Sequence, residues 1–89
     1  MQRMTATTIC ELQVGDRFYK TGDKKRETLV KIDHKPKWTK YRTYKHFALP
    51  AAIYDAKRGI ITNAMEIFIK PMAYDTKVVF LRSAQTLTV

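Results

Sequence analysis

The stretch Asp16-Arg17-Phe18-Tyr19-Lys20-Thr21-Gly22-Asp23-Lys24-Lys25-Arg26-Glu27-Thr28-Leu29-Val30-Lys31-Ile32-Asp33 decides the fold. Its middle, Thr21-Gly22-Asp23-Lys24-Lys25, is a turn signal, because glycine reaches backbone angles closed to other residues and aspartate bonds nearby N–H groups. Beyond it Thr28, Val30 and Ile32 recur at the two-residue period that lines up one side of an extended chain. A hairpin joining 16–20 to 26–33 is the expectation, and the rest of the chain reads outward from it.

Upstream, Met4-Thr-Ala-Thr-Thr-Ile-Cys10 is rich in β-branched residues and reads as a first strand. Gly15-Asp16 marks a turn, with Leu12, Val14 and Phe18 entering the core. Downstream, Pro50 to Asp55 and Gly59 to Asn63 read as the arms of a second hairpin around Ala56-Lys57-Arg58-Gly59, with Gly59 left-handed. Met65 to Lys70 continues as a strand with Ile67 and Ile69 inward, and Pro71 ends the pairing. Thr76 to Arg82 is the strongest β run. The best helical competitor, Ala64 to Ile69, is about a turn and a half long.

Short strands with turns every ten residues or so predict a mainly β fold, a small SH3-like or related antiparallel barrel of five or six strands. Residues 1–89 form one domain, since a chain this long builds one hydrophobic core and not two; 84–89 is a last edge strand or a frayed tail. The expected core is Ile9, Leu12, Val14, Phe18, Leu29, Val30, Ile32, Ile53, Ile60, Ile67, Ile69, Val78, Phe80 and Leu81. Because Leu29 and Val30, and Phe80 and Leu81, are adjacent, both faces of those strands are covered, a second subunit being one way to do so.

Leu12-Gln13-Val14-Gly15-Asp16-Arg17-Phe18 resembles the first turn of SH3-like small barrels, where Gly-Asp closes a bend and the next aromatic or aliphatic residue opens a core strand. The resemblance covers about a dozen residues and implies a fold rather than a function. Translation and transcription accessory domains, self-splicing Hint domains and small proteins of phages and mobile elements share such openings. A KOW-type domain would carry a further glycine-rich motif, yet residues 24–58 contain no glycine; a Hint domain would need an N-terminal nucleophile and a histidine block, and Met1 stands at the start here.

Seventeen Lys and Arg against eight Asp and Glu give a net charge of +9, a field that attracts polyanions. Cys10 is the sole cysteine, so no intrachain disulfide or thiolate cluster forms, which fits a reducing compartment. No secretory signal or membrane-length apolar run is present, and the expected location is cytoplasmic.

Charge concentrates in residues 20–46, where ten basic residues face three acidic ones. Within it, Lys35-Pro-Lys-Trp-Thr-Lys-Tyr-Arg-Thr-Tyr-Lys-His-Phe47 interleaves rings and cations. Between Ile32 and Ala48 there is no aliphatic residue, so the segment reaches out of the barrel or lies on its surface. On a strand, Trp38, Lys40, Arg42, Tyr44 and His46 share one face. Such a face suits single-stranded nucleic acid, since bases stack on rings while cations neutralise phosphates. The candidates are Trp38, Tyr44, Lys40 and Arg42, with Lys24, Lys25, Arg26, Lys35, Lys37 and Lys45 as phosphate contacts; a duplex groove is a lesser fit.

The plainer account is that threonines and aromatics form strands while lysines keep an edge soluble. An acidic protein partner bound by the same ribbon, as in a phage-type or mobile-element accessory protein, and a homo-oligomer sharing the Val78-Val79-Phe80-Leu81 run are the other readings. No cofactor is implied. His34, His46 and Cys10 match no zinc spacing. No activated-nucleophile, paired-carboxylate or phosphate-loop motif appears, so the expectation is a binding module and not an enzyme, although His34 or His46 beside Arg42 is the sort of pair a small ribonuclease uses.

Overall fold

The computed structural model describes residues 2–37 and 44–83. Six strands, β1 (Thr5–Thr8), β2 (Arg17–Lys20), β3 (Leu29–Ile32), β4 (His46–Pro50), β5 (Lys70–Met72) and β6 (Lys77–Arg82), form one antiparallel sheet in the order β1-β6-β2-β3-β4-β5. The hairpin reading holds: Arg17 pairs with Val30 and Phe18 with Leu29. The sheet is not closed into a barrel, because β1 and β5 form its two edges. Pro71 lies inside β5 and does not terminate it, a position that an edge strand tolerates because only one side of it needs donors.

Side chains alternate across the strands, and both sheet faces carry core, which explains the adjacent Leu29 and Val30 within this single chain, whereas Leu81 beside the buried Phe80 is only half-buried. On one face Phe18, Leu29, Ala48, Met72, Val78 and Phe80 pack beneath Ile9 and Leu12, supplied by a 3-10 turn at Ile9–Glu11 and the residue after it. On the other, Ile32, Phe47 and Leu49 pack with Met65 and Ile69, while Ile53 and Tyr54 of a short helix, α1 (Ala51–Ala56), lean on them.

Lys31 places a charged side chain against this core. Although only 7% exposed, its ammonium donates to the carbonyl oxygens of Ile9 (2.9 Å) and Leu12 (2.6 Å). Its backbone is also tied to the same segment, through Gly15 N–H to Lys31 O and Lys31 N–H to Asp16 O. Lys31 therefore fastens the cover to the sheet. Burial pushes its pKa down, against smaller upward pulls from Cys10 and Asp16.

Residues 50–63 correct the second hairpin. Pro50 fixes the entry and Ala51, Ala52 and Ala56 favour helix, so the chain forms α1. Gly59 is left-handed as the sequence implies, at φ 80°, but it ends a helix, and Arg58 before it is left-handed as well, at φ 53°. Gly59 N–H reaches Tyr54 O and Arg58 N–H reaches Asp55 O, the paired bonds of a Schellman ending. Residues 63–68 form a 3-10 helix where a strand is expected, burying Met65 and Glu66 and leaving Ile67 75% exposed. Ile60, 65% exposed, also leaves the expected core, as does Val14 at 55%. Val14 sits on the tip of a turn closed by Asp16 N–H to Gln13 O, with Gly15 supplying the positive φ.

Candidate nucleic-acid interface

Lys24, Lys25 and Arg26 are exposed in the loop between β2 and β3. That loop is shaped by Asp23, whose carboxylate accepts from the N–H groups of Glu27 (3.0 Å) and Lys25 (3.1 Å) and is held below the usual carboxylate range by them. Arg26 adopts a left-handed backbone, φ 48°, and its guanidinium lies over the Tyr19 ring, 5.7 Å from the centroid. Beside it, Lys20, Lys25 and Lys70 rim a cleft of about 520 Å³ whose acidic members are Asp23 and Glu27, with Lys70 paired to Glu27 at 2.7 Å.

Lys35 and Lys37 emerge on the other side of β3, flanking the fully buried Pro36. Their segment is pinned from a distant point of the sequence. Glu66, 6% exposed, accepts from His34 Nε2 (2.6 Å) and from the Lys37 N–H (3.3 Å), and the imidazole first, then the backbone donor, hold its carboxyl low. Tyr44 is half-buried and packs against the Ile32 and Phe47 cluster, while Lys45 next to it is exposed. His46 is pushed below the ordinary imidazole value by burial and then by Lys31 and Lys45. Trp38, Lys40 and Arg42 lie outside the described residues.

The candidates are thus divided. Lys24, Lys25 and Arg26 precede β3 whereas Lys35 and Lys37 follow it, so a four-residue strand of about 13 Å separates the two groups.

Most carboxylates have internal partners. Asp16 accepts from Gln13 N–H, Glu11 from Thr7, Asp55 from Arg17, Glu27 from Lys70, and Asp23 and Glu66 as above. Among the described residues, Arg17 and Lys70 are the Lys and Arg side chains in close ion pairs. Apart from Lys31, the other Lys and Arg side chains among the described residues are exposed and outside those close ion pairs. Neither the pairing of Glu66 with His34 nor that of Asp55 with Arg17 was legible in the sequence, because the partners are 32 and 38 residues apart. The described residues contain no group of three His, Cys, Asp or Glu able to hold a metal ion, and no helix among them is long and apolar enough to cross a membrane. Compared with protein-family models, curated proteins and solved structures, the chain matches none.

Proposed function

We propose that this chain is a small non-enzymatic module that binds nucleic acid, single strands in preference to duplexes. The observation that carries the reading is the charge asymmetry: carboxylates are taken up by backbone N–H groups and by Arg17, Lys70 and His34, while Lys24, Lys25, Arg26, Lys35, Lys37 and Lys45 stay exposed. An excess of unpaired cations attracts a phosphate backbone and gains from releasing its counterions. Trp38 and Tyr44 are the rings assigned to base stacking, with Lys40 and Arg42 as their cationic neighbours. The Gly15-Asp16 bend before Phe18 supports a kinship with SH3-like small barrels, from which the open edges β1 and β5 depart.

Fluorescence anisotropy of labelled single-stranded DNA, single-stranded RNA and duplex DNA at two salt concentrations tests this. Micromolar or tighter binding to single strands, lost steeply with salt and weakened by Trp38→Ala, is the expected result. Absence of binding to all three at low salt refutes it and turns attention to an acidic protein partner.

A further inference from the structure

We infer that the β1–β6–β2 part of the second sheet face, around Tyr19, Val79 and Leu81, seats a single strand of nucleic acid; this rests on the nucleic-acid reading above. Tyr19 pairs directly with Val79, and Val79 with Ala6, so these side chains form a row across three strands on one face. Their neighbours on the opposite face, Phe18, Val78 and Phe80, are buried, but Tyr19 and Val79 are half-covered and Ala6 is exposed. The reason is topological. α1 packs on β3 and β4, and the Met65 and Ile69 cluster completes that half of the face, while no helix among the described residues packs on the other half.

Cations surround this uncovered half. The register between β2 and β6 slips between Arg17 and Phe18, where Arg17 faces Arg82 and Phe18 faces Phe80. A β-bulge of this kind re-aims side chains, and here Leu81 and Arg82 both line a cleft of about 250 Å³ together with Arg3, Arg17 and Thr28. Three guanidiniums meet at one cleft. Asp55 fixes Arg17 through two bonds, Nη1 to Oδ2 (2.9 Å) and Nη2 to Oδ1 (2.6 Å), and feels Arg82 as a further nearby charge without a direct bond to it among the described residues.

Farther along β6, a second cleft of about 390 Å³ is lined by Tyr19, Lys24, Arg26 and Val79, among others. Val79 and Leu81 are two residues apart, so the clefts adjoin along the strand, roughly 7 Å from one to the other. The surface thus offers an aromatic ring, an apolar floor and planar cations on both sides. That combination fits a base on Tyr19 with phosphates on Arg3, Arg82 and Arg26, since guanidinium forks match phosphate oxygens and rings accept any base. Arg26, which covers the Tyr19 ring in the free protein, would move onto a phosphate as the base arrives.

The test is anisotropy with fluorescein-labelled oligothymidylate across a salt series, using the 89-residue chain with folding of each variant checked by circular dichroism. Arg3→Gln/Arg82→Gln is expected to weaken binding about tenfold and to flatten the salt slope by about 1.4, roughly 0.7 for each lost phosphate contact. Tyr19→Ala is expected to weaken it about 5- to 100-fold, with Tyr19→Phe retaining affinity. Lys35→Gln/Lys37→Gln serves as the comparison on the other side of β3. If the wild-type chain binds and only the comparison variant weakens it, this surface is overturned while the nucleic-acid reading stands. Failure of the wild-type chain to bind overturns both. Polyglutamate that binds equally well, insensitive to Tyr19→Ala, overturns the surface in favour of a protein partner.

Discussion

Replacing Lys31 by methionine removes the ammonium while keeping a side chain of similar length. The two bonds it deletes, to Ile9 O and Leu12 O, are charge-assisted and buried. Hydrogen bonds to charged groups contribute about 1.5–3 kcal/mol each, so the gross loss is roughly 3–6 kcal/mol. Three corrections shrink it: the Ile9 carbonyl keeps a bond from Leu12 N–H (3.2 Å), the methionine gains apolar contact, and the penalty of burying an ammonium disappears. A net loss of about 2 kcal/mol remains, chiefly the unsatisfied Leu12 carbonyl, equivalent to a fall in Tm of about 8–16 °C for a domain of this size. Urea and thermal unfolding followed by far-ultraviolet circular dichroism measure it.

The same pair of proteins tests the charge. Because burial depresses the folded-state pKa of Lys31, the unfolded chain binds more protons than the folded one as pH rises between the lowered value and 10.5. Wild-type stability gains across that window and the variant lacks the gain. The deficit of Lys31→Met should therefore widen toward alkaline pH. A variant as stable as wild type, or more stable, would show that the ammonium is merely tolerated and would refute the fastening role.

Other expectations follow from the same geometry. Arg58→Gly relieves a left-handed non-glycine residue at the end of α1 and should stabilise by about 0.5–1 kcal/mol, whereas Arg58→Ala should not; paired urea titrations distinguish them. His46 has a depressed folded pKa, so protons bind the unfolded chain first and stability should fall as pH drops below about 6.5. His46→Gln should flatten that part of the profile, read as the urea midpoint against pH. Phe18→Ala, at a site with no exposure, should cost about 3–5 kcal/mol, enough to unfold much of a domain whose total stability is roughly 4–13 kcal/mol. A midpoint shift under half that size would mean the sheet collapses around the cavity.

Local patterns carried the strands they determine. The 16–33 hairpin and the 76–82 run are legible because a turn signal and two-residue alternation both act over a few neighbours. Residues 51–56 do not show their helix in the sequence because six residues are too few to display a helical period, and Ile53 and Tyr54 suit either state. For the site, the excess of cations is visible in composition, but its division is not: residues 20–46 look continuous until β3 is threaded through the sheet. Tyr19 is not legible as a surface ring in the sequence because its half-exposure depends on where α1 lies, and the residues of α1 suit a strand equally well. Glu66 looks like any surface acid until the fold brings His34 and the Lys37 N–H to it.

The strand order also bears on how the chain must be made. β6, near residue 80, lies between β1 and β2, so among the described residues β1 has no partner strand until β6 has been made, whereas β2 already has β3. Pairing of such large sequence separation is slow to form and leaves apolar edges open in the meantime. Only β2 to β5 can assemble in order of synthesis. Nascent chains halted before residue 77 should therefore remain protease-sensitive around residues 5–8, and protection there should appear abruptly once β6 has cleared the exit tunnel.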